Sequence, residues 1–320
     1  MMPVPALVLT AGLATRLRPL SLVRAKAALP VAGEPLVGRI LRWLHDAGID
    51  DVVLNLHHLP YTLTGLLGDG TQLGMRVRYS WETPVLGSAG GPKRALPLLF
   101  ADPLGPCTFV IVNGDTLTTA RLEPALEAHR ASGALVTMML VPNTEPMKYG
   151  GVVVDDGDVV TGFVRRGSAT PSFHFFGVQI VEAAAFANVP NDVPYETVGT
   201  LYPALIAARP GSVRAFRCDA EYFDIGTPAD YLRTSLTLAD RERRTSTGRA
   251  ARIDATARIE RSILWDDVVI AAGVLLRECV VADGVTVPAD TSWHGVTIRN
   301  ATGELAPGER RVDDLAIASL

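Results

Sequence analysis

Cysteine is scarce in this chain: three stand among 320 residues, Cys107, Cys218 and Cys279, odd in number and with no CxxC pair. That spacing argues against a disulfide framework and predicts reduced, mostly buried thiols of a cytoplasmic protein. Positive charge is also short, with 30 Lys and Arg against 34 Asp and Glu and a net charge of −4. No basic field is there to attract nucleic acid, so any polyphosphate must be met by local basic residues and backbone amides. No apolar run reaches the ~18 residues of a membrane span. Met1-Met2-Pro3-Val4-Pro5 has neither the basic region nor the apolar stretch of a signal peptide. The six histidines show no metal-ligand spacing, and His57-His58 are adjacent and suit surface or loop positions. Nothing resembles a Ser/His/Asp or Cys/His nucleophilic set.

What is present is alternation. Ala6-Leu7-Val8-Leu9 is a buried strand running into a loop that contains Gly12. Leu36, Ile40, Leu41 and Leu44 recur at helical spacing between Pro35, suited to a first turn, and Gly48, suited to a cap. Asp51 to Asn55 is the next strand, followed by a short helix up to Gly68. Met75 to Trp81 has the period of two of a half-exposed strand. Phe109 to Val112 and Leu135 to Leu140 are further strands, and Gly151 to Gly177 holds strands without helices between them. Helices are predicted at Thr197 to Ala208 and Thr227 to Ala239, the second opened by Thr227 as N-cap and Pro228 in its first turn. This order implies an α/β fold with a mainly parallel sheet, whose ligands bind beyond the carboxyl ends of strands. The loops after Leu9 and Val112 are therefore the places to search.

The C-terminal part reads differently. Ile263, Val269, Leu275, Val281 and Val287 are aliphatic at an interval of six, with Val268, Val274 and Val280 beside them. A hexapeptide period is the mark of a parallel β-helix, each six-residue segment forming one side of a coil. So few coils need cover at their ends, which the rest of the chain or a second copy would supply. Boundaries follow: 1–240 as one α/β domain, 241–250 as a polar linker, 251–300 as the β-helix and 301–320 as a tail.

The chemistry-bearing stretch leaves the first strand: Leu9-Thr10-Ala11-Gly12-Leu13-Ala14-Thr15-Arg16-Leu17-Arg18-Pro19-Leu20. Small residues let a backbone approach polyphosphate, and successive amides make an anion-binding concavity. Arg16 and Arg18 add charge. Lys26, alone in the apolar Ala25-Lys26-Ala27-Ala28-Leu29, is either a snorkelling surface residue or a point charge aimed into a site. The loop is neither GxxxxGK[ST] nor GxGxxG, so kinase and dehydrogenase readings lose support.

Taken together, Ala11 to Ser21 and Ala25 to Val31 closely resemble the signature of sugar-1-phosphate nucleotidyltransferases, A-G-x-G-T-R-L-x-P-L-T followed by P-K-x-x-x-P-V. The likeness extends from residue 4 to about 240. Leu86-Gly87-Ser88-Ala89-Gly90 resembles the family's L-G-T-A-G loop, which borders the base. Asn113-Gly114-Asp115 is similar to its G-D motif, and Glu221 to Pro228 is similar to W-x-D-I-G-T-P. Tyr149-Gly150-Gly151-Val152 resembles the strand entry that contacts the sugar, and Gly177 falls where the family has N-x-G.

This resemblance implies a Rossmann-like catalytic domain with a mixed, mainly parallel sheet, completed by a short left-handed parallel β-helix. It implies a reaction of nucleoside triphosphate with sugar 1-phosphate that releases pyrophosphate, with Mg²⁺ held by Asp115 and Asp224. Arg16, Lys26 and Asp115 are the expected catalytic residues. Leu9, Ala11, Gly12, Leu13, Ala14, Thr15, Glu82, Gly87 and Ser88 are expected to bind nucleotide, and Gly150, Arg165, Arg166 and Gly177 to bind the sugar phosphate. Three departures stand out: Ala14 replaces a glycine, Arg165-Arg166 replaces a Glu-Lys pair, and an aromatic pair precedes Gly177. His174 lies near this expected sugar pocket. The β-helix favours mannose-1-phosphate guanylyltransferases. The alternatives are a uridylyltransferase acting on N-acetylmuramate 1-phosphate or glucose 1-phosphate, and a non-catalytic homologue that binds nucleotide sugars. No nucleic acid and no membrane is expected as partner, and self-association would run through the β-helix.

Overall fold

The computed structural model describes residues 4–100 and 107–320. Residues 1–3, the start of the segment read as lacking a leader, lie outside the described residues. Contacts divide the chain into two compact units. The first contains residues 4–12, Ile40–Pro60 and Thr64–Phe223; the second contains Leu13–Arg39, Tyr61–Leu63 and Asp224–Leu320. The segment that resembles the family signature is therefore split: Ala11 and Gly12 fall in the first unit, and Leu13 onward groups with Asp224–Leu320.

Among the described residues, the first unit is built on a nine-stranded sheet. Its parallel half has the spatial order Arg76–Trp81, Asp51–Leu56, Ala6–Leu9, Thr108–Asn113. The chain starts in the middle, moves outward to one side, then returns to lay Thr108–Asn113 on the other side of the first strand. That reversal is a topological switch point, where strand ends diverge and leave a crevice. Beyond it the pairing becomes antiparallel: Phe173–Glu182 runs against both Thr108–Asn113 and Val136–Pro142. Gly151–Val154 and Val160–Val164 form a hairpin at one border. At the other, Val213–Arg217 lies parallel to Val136–Pro142. Side chains such as Leu7, Val53, Phe109, Ile111, Met138 and Val181 fill one continuous core.

Two helical stretches depart from the sequence expectation. Gly87–Leu99 is a helix, although it contains Pro92 and Pro97 and opens with glycines. Propensity alone reads such a stretch as loop, but close packing of its glycines, described below, overrides propensity. The stretch expected as a helix from Thr197 starts as a wide turn, Thr197–Leu201, before the helix Tyr202–Ala208.

In the second unit, Arg252–Asn300 winds through three parallel sheets, each holding one side of successive coils. The β-helix is present, but its repeat is 17 residues, as seen where Asp266 bonds Asp283. A coil of 17 residues shortens one side by a residue, so a strict interval of six slips out of phase. The expected interior row is corrected accordingly. Leu275 is 37% exposed, while Leu264, Ile270, Leu276, Val281, Val287 and Ile298 fill the interior with Val268, Val274, Cys279 and Val285. The last strand, Leu315–Ser319, runs antiparallel to Val296–Asn300 and extends the same sheet.

The phase can be tested directly. Leu276→Ala is expected to cost about 2–5 kcal/mol, as a buried leucine does, and Leu275→Ala less than about 1 kcal/mol. Urea denaturation of the two variants checks this; equal losses would mean that the rows are wrongly phased.

Candidate active site

At the switch point of the first unit, Leu9 pairs with Asn113 at the ends of two parallel strands. The Gly114 amide then donates to the Leu9 carbonyl at 2.9 Å. A β-carbon at position 114 would stand 2.5 Å from that carbonyl oxygen. Only glycine fits, and it lets the chain turn out of the sheet so that Asp115 emerges half-buried beside the loop that follows Leu9. Gly177, at φ +91°, makes a comparable approach: a β-carbon there would lie 2.6 Å from the Asn113 Nδ2. It sits where the register between Phe173–Glu182 and Val136–Pro142 shifts.

The root of the loop is fixed from behind. Asn55 Oδ1 accepts from the amides of Thr10 at 2.6 Å and Ala11 at 3.3 Å. Asn55 Nδ2 donates to Glu82 Oε1 at 2.7 Å, and the other Glu82 oxygen accepts from the Leu86 amide at 2.8 Å. Glu82 is only 2% exposed, so its carboxylate ties the first loop to Leu86-Gly87-Ser88. That burial is compensated because both oxygens are bonded. Gly12 is exposed and has open space where a β-carbon would be.

The Leu86–Gly91 stretch lies against the turn at Tyr195. The Ala89 and Gly90 amides donate to the Tyr195 carbonyl, and a β-carbon at Gly87, Gly90 or Gly91 would lie about 2.5–2.6 Å from a neighbouring atom. Ser88 Oγ donates to Glu196 Oε2 at 2.5 Å and accepts from the Thr197 amide at 2.8 Å. Glu196 was not among the expected site residues; it is an exposed carboxylate at the start of the helix that carries Gly87 and Ser88. A lone acid in Pro194-Tyr195-Glu196-Thr197 has no periodic or compositional signal, and only the contact reveals it.

The residues expected to bind the sugar phosphate also meet within the first unit. A β-carbon on Gly150 would be 3.0 Å from the Val164 carbonyl and 3.8 Å from the Arg166 amide. Arg165 and Arg166 are exposed on the turn leaving Val160–Val164. Near them the rings of Tyr149, His174 and Tyr222 form a column, with centroids 4.1 Å and 4.8 Å apart, and Phe176 stacks at 6.2 Å on Tyr222. Lys148 Nζ stands 4.9 Å above Tyr149. Burial, with the Lys148 charge adding to it, pushes the His174 pKa down to about 4. His174 is therefore a neutral ring at physiological pH.

The second unit carries the remaining candidates. Ala14, where the signature has glycine, sits at φ +48°, ψ +45°, and its carbonyl accepts from Ser21 Oγ at 3.0 Å. Arg16 is exposed on the single turn Thr15–Leu17. Its guanidinium lies over Gly226, where a β-carbon would be 3.6 Å from both terminal nitrogens. Lys26 opens another single turn, Lys26–Ala28, and is half-buried among Ala25, Ala27, Ala28 and Leu29. Asp224 ends the short strand Tyr222–Asp224 and is half-buried. Thr227 caps the helix Pro228–Glu242 as expected, accepting from the Asp230 amide at 3.1 Å.

Comparison with known proteins identifies the family. Residues 5–241 match the model of the family described as "Nucleotidyl transferase". The chain is 30% identical to a mannose-1-phosphate guanylyltransferase of Mycobacterium tuberculosis, over 86% of this chain and 83% of that one. It is 28% identical to a UTP–glucose-1-phosphate uridylyltransferase of Synechocystis, over 97% and 86% respectively. Among solved structures, HddC from Yersinia pseudotuberculosis, in complex with GMP-PN, superposes with a TM-score of 0.63 at 22% identity, over 73% of this chain and 99% of that one.

Two outcomes are expected from these positions. Ala14→Gly should stabilise the protein by up to about 1 kcal/mol, since a left-handed alanine costs roughly 1–2 kcal/mol and glycine returns part of that as unfolded-state entropy; thermal melting measures it. Because the folded pKa of His174 lies below the unfolded value of 6.5, its contribution is complete above pH 6.5 and is lost as pH falls towards 4. His174→Phe should flatten stability over that window, and an unchanged acid limb in denaturation curves would remove the assignment.

Proposed function

Because the chain belongs to the nucleotidyl transferase family, we propose that its substrates are GTP and mannose 1-phosphate. It is a sugar-1-phosphate nucleotidyltransferase, an enzyme that makes a nucleotide-activated sugar. The observation that carries the choice of substrate is a run of mannose-1-phosphate guanylyltransferases whose likeness covers 86–92% of the chain. The uridylyltransferase reading rests on the Synechocystis relative, which aligns over 97%. Three free thiols among the described residues accord with a cytoplasmic setting.

The chemistry follows from the residue types. A sugar-phosphate oxygen attacks the α-phosphorus in line, the new P–O bond forms, and the bond to the β-phosphate breaks with its electrons on pyrophosphate. The attacking phosphate is already ionised, so no general base is required, and catalysis rests on positioning and charge. Arg16, planar and forked, suits the β- and γ-phosphates bidentately, and Lys26, a compact point charge, suits the α-phosphate under attack. Ala11, Gly12, Leu13, Ala14, Thr15, Gly87 and Ser88 would bind the nucleotide, and Asn55 holds the Thr10 and Ala11 amides at the root of that loop. Gly150, Gly177 and the ring column offer the sugar a flat wall, and Arg165 and Arg166 offer its phosphate positive charge.

Asp115 and Asp224 would hold a divalent cation. Both are half-buried carboxylates, and hard oxygen donors suit Mg²⁺. Among the described residues no cluster of three or more His, Cys, Asp or Glu could cage an ion. The set thus suits a cation that takes its other ligands from phosphate and water. When bound, the cation would neutralise charge on the phosphates.

A pyrophosphate-release screen of GTP, UTP, ATP and dTTP against a panel of sugar 1-phosphates tests the substrates, with GTP and mannose 1-phosphate expected to give the highest kcat/KM. A clear preference for UTP with glucose 1-phosphate would replace that reading. Lys26→Ala and Asp115→Asn should each lower kcat at least ~100-fold, the scale of losing one charge-stabilising group. Arg166→Ala should raise KM for the sugar phosphate roughly tenfold or more, as loss of a charge-assisted bond does, and leave KM for the triphosphate nearly unchanged. An Arg166 variant with unaltered kinetics would place the sugar phosphate elsewhere.

A further inference from the structure

We propose that the first coils of the β-helix set the position of Lys26, gripping the chain through Arg24 on one side of it and Pro30 on the other. The inference rests on the reading of Lys26 as the charge that meets the α-phosphate. A single three-residue turn, Lys26–Ala28, has no stability of its own. Whatever holds its two ends therefore fixes where the backbone of the lysine stands.

Upstream, the Arg24 guanidinium donates from Nε to Asp283 Oδ2 at 2.7 Å and from Nη2 to Asp283 Oδ1 at 2.6 Å. Nη2 also donates to Asp266 Oδ2 at 2.9 Å. Asp266 and Asp283 occupy equivalent places on successive coils and are themselves fixed by backbone. The Arg249 amide donates to Asp266 at 2.8 Å, and the Asp266 amide donates to Asp283 at 3.1 Å. The Arg24 side chain is only 13% exposed and lies 5.5 Å above the ring of Trp265. An exposed ion pair contributes little, but a forked, half-dry contact to two carboxylates that each accept a backbone amide fixes orientation as well as distance.

Downstream, the Pro30 carbonyl accepts from Tyr231 Oη at 2.5 Å. Tyr231 Oη in turn accepts from Trp265 Nε1 at 2.9 Å. Trp265 is completely buried, so one β-helix residue touches the grip on both sides of the turn. Between the two, the Ala25 amide donates to Thr62 Oγ1 at 3.2 Å. Arg24, Trp265, Asp266 and Asp283 thus form a device that spans more than 200 residues of sequence and ends two residues from Lys26.

The test compares kinetics of the full-length protein with the best substrate pair from the screen, at a temperature where circular dichroism shows each variant folded. Arg24→Ala should lower kcat about tenfold or more, in line with the cost of small misplacements of a catalytic group, while KM for the sugar phosphate stays within twofold. Asp283→Asn should give a smaller loss of the same kind, and Arg24→Lys should restore part of the Arg24→Ala loss. In a Lys26→Gln background, Arg24→Ala should cost less than twofold, because a residue acting through Lys26 has nothing left to position. A merely structural role would instead give the same factor in both backgrounds and overturn the proposal. Wild-type kcat in both Arg24→Ala and Asp283→Asn would also overturn it. If Arg24→Ala does not fold, Asp283→Asn and Arg24→Lys carry the same comparison with Lys26→Gln. Full activity of Lys26→Gln alone would instead remove the underlying reading of Lys26, an outcome distinct from the others.

Discussion

The constraint that shapes the candidate site is the backbone approach of Gly114 to the Leu9 carbonyl. Two parallel strands end side by side there, and the chain leaving one must pass the chain leaving the other within hydrogen-bonding distance. The crowding excludes any side chain at 114 and dictates where Asp115 emerges. Gly177 repeats the device against Asn113. Around these contacts the polar residues serve as braces: Glu82 and Asn55 are buried, fully engaged and directed at backbone amides. Such a network is rigid because every member is satisfied, and removing one would leave a buried group unpaired.

The second unit solves a different problem. Segments such as Thr15–Leu17 and Lys26–Ala28 are single turns without an extended hydrogen-bond ladder. Their order must come from outside. The β-helix supplies it, since stacked coils have regular corners where carboxylates such as Asp266 and Asp283 can be placed one above the other. The same region is held at further points by Arg39, whose guanidinium makes a forked contact with Glu242 at 2.7 and 2.8 Å and also bonds the Val31 carbonyl. The ring column of the first unit shows that a titratable residue can serve as flat surface: His174, between two tyrosines, is kept neutral by burial.

Much of this was legible in the chain. Apolar runs and their spacing gave the parallel strands, because a buried strand needs continuous hydrophobicity and a half-buried one needs period two. Thr227-Pro228 announced a helix start because capping is a local interaction between neighbours in sequence. The signature from Ala11 to Val31 and the motifs that contain Asp115 and Asp224 pointed to the family, and the family match agrees. The β-helix was visible as a six-residue period, but its phase was not. One shortened side per coil turns Leu276 inward and leaves Leu275 partly exposed, and only the pairing between coils reveals this.

The sequence by itself determined the α/β order of elements, the β-helix and the chemical types gathered for phosphate binding, since each is written in local pattern or composition. Tertiary structure alone decided the rest. It made a helix of the proline- and glycine-containing Gly87–Leu99, because those glycines pack against Tyr195, Glu196 and Glu82. It brought Glu196 to Ser88, Asn55 to Glu82, and Asp266 and Asp283 to Arg24. Each of these is a contact between residues far apart in sequence, and a long-range contact leaves no periodic trace in either partner. Its geometry exists only when the sheet and the coils have closed.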